Sequence, residues 1–239
     1  MHIRVDLLPA PPYDDVVVLI DVLRTGTVAP LLFERGLSAL HVATKLKLAR
    51  ALGEQRGAVL IGERKGVPPE GFNYGNSPAQ LSGRTFKAKE AVLVSENAPS
   101  ILPLVDEARH VLLGSLYNAE ALVRRALAKT KGHIYLVCCG LWGQEDLDDS
   151  LTAGFLAARL RALAPDAQLG GGARLALSLL ETFPDPLEAL WRSSSGHYLR
   201  HLNMADDIAL ASCISQSEHV PTLQESQSHR DGLLYTFRS

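Results

Sequence analysis

Val16-Val17-Val18-Leu19-Ile20 is an apolar run, β-branched at every position but one, that stops abruptly at Asp21-Val22-Leu23-Arg24-Thr25. A run this short, with no polar residue alternating in it, reads as a strand buried on both faces. Similar runs recur at residues 40–43, 59–61, 91–94, 111–113 and 134–138. Between them, helical periodicity marks residues 28–35, 45–55, 100–108, 119–129 and 151–164. Strands alternating with helices predict an α/β protein, its sheet largely parallel or mixed and covered by helices on both faces. After Pro165 the rhythm changes. Gly170-Gly171-Gly172 reads as a flexible turn opening a helix, and Pro184 and Pro186 punctuate the stretch beyond it. Residues 224–229 read as a solvated polar loop before a last short strand. The expectation is one α/β unit over residues 1–239, with a C-terminal elaboration or subdomain from about residue 166.

A chain of 239 residues suffices for a substantial core. Lys and Arg number 24 against 26 Asp and Glu, a net charge of −2, and 46% of residues are hydrophobic. Ordinary apolar content with so little net charge argues against disorder. The lack of a basic excess argues against a dedicated nucleic-acid binder. No apolar run approaches the roughly 20 residues that cross a bilayer, and Met1-His2-Ile3-Arg4 lacks the charged-then-apolar order of a secretory signal. Three cysteines, two of them adjacent, write neither a disulfide framework nor a zinc site. These features predict a cytoplasmic protein with no nucleic-acid or membrane partner. Enzymes of this class and size are commonly homo-oligomers, and a dimer is the expectation.

In a parallel sheet, ligands bind beyond the carboxyl ends of the strands. Asp21, Arg24 and Thr25 follow the first strand, and Glu63, Arg64, Asn76 and Ser77 follow the third. Ser95, Glu96 and Asn97 follow the fourth, Ser115 and Asn118 the fifth, and Asp146, Asp148 and Asp149 the sixth. The mixture suits a phosphate or another compact anion. Arginines clamp oxygens bidentately, helix N-termini near Ser95 and Ser115 add donors, and Asp21, Glu63 and Asp149 are oxygen ligands of the kind Mg²⁺ takes. In any single loop such residues are more often helix caps or structural ion pairs. Their recurrence at one edge favours a site. Asp21-x-x-x-Thr25 also has the outline of the haloacid-dehalogenase-type phosphatase motif, but Leu23 stands where a second acid is needed.

The longer pattern resembles the 2-phosphosulfolactate phosphatase family. It starts at Val17-Val18-Leu19-Ile20-Asp21-Val22-Leu23-Arg24 and continues through Gly62-Glu63-Arg64-x-Gly66 and Gly71-Phe72-x-x-Gly75-Asn76-Ser77-Pro78. Gly114-Ser115-x-x-Asn118-Ala119, Leu147-Asp148-Asp149, Ala153-Gly154, Ser195-Gly196-x-x-Leu199, Asp207 and Val220-Pro221 come next in order. The resemblance implies an α/β fold and Mg²⁺-dependent cleavage of the phosphomonoester (2R)-2-phospho-3-sulfolactate, on a route to coenzyme M. It implies site roles for Asp21, Arg24, Glu63, Arg64, Asn76, Ser77, Ser115, Asn118, Asp148 and Asp149. Metal coordination is assigned to Asp21, Glu63 and Asp149. Binding of a small anionic phosphoester falls to Arg64, Asn76, Ser77, Ser95, Asn97, Ser115 and Asn118, with Arg24 also on the anion, and water is the expected nucleophile.

Two loops depart from the family pattern. Thr25-Gly26-Thr27-Val28 replaces Ala and a threonine run, and Ser95-Glu96-Asn97-Ala98-Pro99 replaces a threonine-rich segment. Hydroxyls are thinned, and Glu96 brings a carboxylate to where an anion approaches. These departures leave open a phosphatase for another 2-phosphohydroxy acid, or a weakened member that binds anions or regulates. Elsewhere, Cys138 and Cys139 read as core thiols, His197 and His201 as an exposed helical pair, and Trp142 and Trp191 as packing residues.

Overall fold

The computed structural model describes residues 1–239. Two strands come first, β1 (His2–Asp6) and β2 (Val16–Ile20), then α1 (Thr25–Glu34), β3 (Ala39–Ala43), α2 (Leu46–Arg56) and β4 (Val59–Gly62). Next are α3 (Pro78–Ser82), β5 (Glu90–Val94), α4 (Ala98–Val105) and β6 (His110–Gly114). A 3₁₀ turn (Leu116–Asn118) leads into α5 (Ala119–Lys129), β7 (His133–Cys138), α6 (Leu147–Leu163) and β8 (Gln168–Leu169). Four helices, α7 (Gly171–Thr182), α8 (Pro186–Arg192), α9 (Ser194–His201) and α10 (Ala205–Ala211), precede β9 (Thr222–His229) and β10 (Gly232–Arg238).

The strands form one mixed sheet in the order β4-β5-β3-β10-β9-β6-β2-β7-β1-β8. Two parallel blocks, β4-β5-β3 and β6-β2-β7-β1-β8, are joined by an antiparallel hairpin. β10 runs antiparallel to β3 from Leu234 opposite Ala43 to Phe237 opposite Leu40. β9 meets β6 at a single pair, Thr222 opposite Leu112.

All five residues of β2 are buried because both faces of the sheet are covered. Val17 and Leu19 pack on one side with α1 and α4, while Val16, Val18 and Ile20 pack on the other with α5, α6 and α7. Beyond the hairpin, α2 covers Ala43, Val92 and Val94. Cys138 and Cys139 are buried on opposite faces of this core. No helix is long and apolar enough to cross a membrane.

The structure corrects several expectations. β1 is an unforeseen strand, and α1 starts at Thr25, three residues before the periodicity shows it. Residues 224–229 are exposed or half-buried, as expected of a solvated segment, but they belong to β9 in the middle of the sheet. The Gly170-Gly171-Gly172 stretch opens α7 as expected, and its last glycine is also needed for packing. Gly170 has φ −66°, and a Cβ on Gly172 would overlap the carbonyl oxygen of Val5.

At the amino edge of the sheet, Asp15 Oδ2 accepts hydrogen bonds from the Thr130 hydroxyl (2.7 Å) and the amides of Lys131 (2.7 Å), Gly132 (2.9 Å) and His133 (2.9 Å). Burial pushes this carboxyl up, but the hydrogen bonds outweigh it and hold the group below its usual value. The stabilisation is therefore present above the ordinary carboxylate range and is lost as pH falls through it. Asp15→Ala should cost about 1–3 kcal/mol at pH 7, with the gap to wild type narrowing below about pH 4. Urea unfolding at the two pH values checks both.

Candidate active site

Loops from four strands and one helix meet around a cavity at the carboxyl edge of the sheet. Asp21, Arg24 and Thr25 reach it from the end of β2, and Glu63, Gly66 and Asn76 from the segment after β4. Ser95, Glu96 and Asn97 enter after β5, Leu141 and Trp142 after β7, and Ser195, Tyr198 and Leu199 from α9.

Two of these loops are built alike. Arg64-Lys65-Gly66-Val67 and Leu141-Trp142-Gly143-Gln144 each close by reciprocal backbone hydrogen bonds between first and fourth residues. Both central residues have positive φ, 51° and 77° in the first turn, 50° and 79° in the second. That is the two-residue geometry for which Asn-Gly is the favoured sequence. Glycine fills the second position both times, but Lys65 and Trp142 fill the first at a steric cost. Trp142 is the consequence for the site. Expected to pack, it is instead 58% exposed at the mouth of the cavity, with its ring edge-to-face with Tyr198 at 5.1 Å. Trp191 is 41% exposed, beneath the Arg200 guanidinium.

Asp21 lies at the floor, 4% exposed. Burial pushes its carboxyl up to about 6, and the charge of Glu63 adds to the rise, against opposing hydrogen bonds from Thr25 and the Ala98 amide. No basic side chain forms an ion pair with Asp21 or Glu63. Glu63 also braces the loops. Its Oε2 accepts from the Gly66 amide and its Oε1 from the Glu96 amide, both at 2.8 Å. Thr25 and Ser95 pair through their hydroxyls at 3.0 Å. Asn76 Nδ2 points to Thr25 Oγ1 at 3.4 Å, while its buried Oδ1 has no partner.

Arg24 is in the cavity wall but its charge is already matched. Nη1 pairs with Asp207 at 3.1 Å, and Nη2 donates to the Gly66 carbonyl at 3.1 Å. Asp207 also accepts from the Ser77 hydroxyl and the Ala79 amide. The sequence pattern contained Asp207 without revealing this role.

The remaining expected residues lie elsewhere. Ser77 caps α3 through the Gln80 amide. Ser115 and Asn118 form a capping box on the 3₁₀ turn, with Asn118 Nδ2 donating to the Leu113 and His219 carbonyls. Arg64 Nη1 donates to the Glu63 and Ser95 carbonyls and lines an adjoining groove. Asp149 accepts from the Val22 amide with Oδ1 and from the Gly140 amide with Oδ2, both at 2.9 Å. Asp148 is buried outside the cavity with Oδ1 unpartnered, and burial pushes both of these carboxyls well above the usual range. Asp21, Glu63 and Asp149 therefore do not meet as a three-carboxylate group. Asp149 acts as a brace between two loops of the site.

Removing Asp207 leaves the Arg24 guanidinium buried and unpaired, so Asp207→Ala should cost about 3–5 kcal/mol in chemical denaturation. Asp21 gives the opposite result. Because its folded-state carboxyl is raised, stability falls as pH rises from the unfolded value near 4 to about 6. In metal-free buffer, Asp21→Asn should raise stability by up to about 3 kcal/mol at pH 8 and converge with wild type near pH 4. Thermal melts at both pH values report it.

A family model described as 2-phosphosulpholactate phosphatase matches residues 2–226. A Deinococcus radiodurans protein named probable 2-phosphosulfolactate phosphatase is 40% identical over 225 residues, 93% of each chain. A Thermus thermophilus protein of the same name is 35% identical over 227 residues, 94% of this chain and 95% of its own. Another from Synechococcus is 33% identical over 219 residues, 88% of this chain and 90% of its own. With a family model matching residues 2–226 and relatives up to 40% identical along nearly the whole chain, the protein belongs to the 2-phosphosulpholactate phosphatase family.

Proposed function

We propose that this chain hydrolyses the phosphate ester of 2-phosphosulfolactate and that it uses Mg²⁺ held at Asp21 and Glu63. The observation that carries the reading is this buried carboxylate pair without a basic partner, at the edge where parallel sheets bind ligands. Uncompensated buried carboxylates are costly. A small divalent cation relieves that cost using one or two carboxylates, with water completing its shell. The residues present fit it. Each Glu63 oxygen keeps a second lone pair beyond its amide, and the partnerless Asn76 Oδ1 adds a neutral oxygen in the same wall.

Bound there, Mg²⁺ would supply charge neutralisation for the phosphoryl group. The chain does the rest. Burial and the neighbouring Glu63 raise the Asp21 carboxyl only to about 6, which leaves it mostly ionised at neutral pH. The Thr25 and Ser95 hydroxyls and the Asn76 amide offer hydrogen bonds that orient the phosphoryl group. No histidine lines the cavity to activate a serine, and burial pushes the Cys138 and Cys139 thiols well up. On this reading a water molecule is the attacking group.

Phosphate release from 2-phosphosulfolactate is expected with Mg²⁺, lost in EDTA and restored by added Mg²⁺. Asp21→Asn and Glu63→Gln should each lower turnover by about a hundredfold or more while leaving the circular dichroism unchanged. Release insensitive to EDTA would remove the cation from the reading, and full activity in either variant would remove that residue.

A further inference from the structure

Four charged side chains line the cavity: Asp21, Glu63, Glu96 and Arg24. Asp207 neutralises Arg24, and the cation proposed above would offset Asp21 and Glu63. Glu96 is the charge left over. No Lys, Arg or His lies within ion-pair distance of it. Its carboxylate is held by a neutral donor, the Trp142 indole, whose Nε1–H reaches Oε2 at 3.1 Å.

The surroundings fix it there. The Glu96 amide donates to Glu63, which anchors the backbone beside the floor. Trp142 is carried on a turn at φ 50° and braced by Tyr198. The hydrogen bond thus spans the mouth from the β5 loop to the β7 loop. An indole positions a carboxylate without cancelling its charge, so an incoming ester meets a full negative charge at the rim. Glu96 also separates the cavity from the adjoining groove that holds Arg64, since it lines both.

We propose that Glu96, held across the mouth by Trp142, is a charge filter that ranks phosphoesters by the charge of the group distal to the phosphate. The assignment rests on the phosphatase reading and refines its substrate class: esters of 2-hydroxy acids without a second strong acid gain relative to sulfonated ones. Like charges a few ångströms apart at a partly exposed site change affinity by about tenfold or more.

The test compares 2-phosphosulfolactate with 2-phospholactate, which differ by one sulfonate. Glu96→Gln should raise the ratio of kcat/KM for the sulfonated over the unsulfonated ester by about tenfold, through KM, and the effect should shrink at high salt. Trp142→Phe, which frees the carboxylate, should shift the ratio in the same direction by less. An unchanged ratio overturns the filter. So does loss of activity on both esters together with weaker Mg²⁺ binding, which would make Glu96 a ligand. The chain has two tryptophans, so Trp191→Phe leaves Trp142 as the sole indole reporter at the mouth. Fluorescence titration of that protein, with and without Glu96→Gln, gives the same ratio as dissociation constants. If neither ester releases phosphate but the titration shows the shift, the phosphatase reading fails and the filter stands.

Discussion

Backbone amides that leave a parallel strand lose their ladder partners, and buried amides need acceptors. Much of this molecule depends on how its carboxylates meet that demand. Asp149 takes the amides of Val22 and Gly140, and Glu63 those of Gly66 and Glu96. Asp146 takes those of Leu147, Ser194 and Ser195, tying α6 to α9. Asp15 does the same at the opposite edge. Charge-assisted bonds of this kind are stronger than neutral ones, and each joins segments far apart in sequence. The loops of the site are held to one another because they share acceptors.

Asp21 differs from these carboxylates in where it faces. Its carboxyl is raised by desolvation and by Glu63, as that of Asp149 is by desolvation and by Asp21, but Asp21 lines the cavity and Asp149 does not. Stability is lost at this position and chemistry becomes available, the usual trade at functional sites. Glu63 does both jobs, bracing two loops and adding its charge to the floor.

The sheet was legible wherever a strand is buried on both faces, because Val16–Ile20 and its counterparts have no competing reading. β1 escaped because His2, Arg4 and Asp6 interrupt it, and β9 because its polar side chains remain largely in solvent while its backbone pairs. Periodicity records side-chain burial and is blind to the ladder. The same limit governed the site. Asp21, Asp149, Ser95 and Ser115 each come after a strand in the same manner, and nothing local tells a ligand-facing oxygen from one committed to an amide. Ser115 and Asn118 did carry a readable signal, the three-residue spacing of a capping box. Trp142 carried another in the Gly two positions after Cys138 and the Gly immediately after Trp142, which frame a tight turn.

The placement of β9 and β10 has a consequence for synthesis. A ribosome completes β6, β2, β7 and β1 before it makes residues 222–238, which fill the gap between the two parallel blocks. Until then the emerging chain presents two unguarded strand edges, β3 and β6, to any neighbouring polypeptide. The sheet closes by a pairing between residues about two hundred positions apart in the chain, Leu40 and Phe237, the kind of contact that forms late and slowly. Nascent chains of this protein are therefore the form most in need of shielding by chaperones.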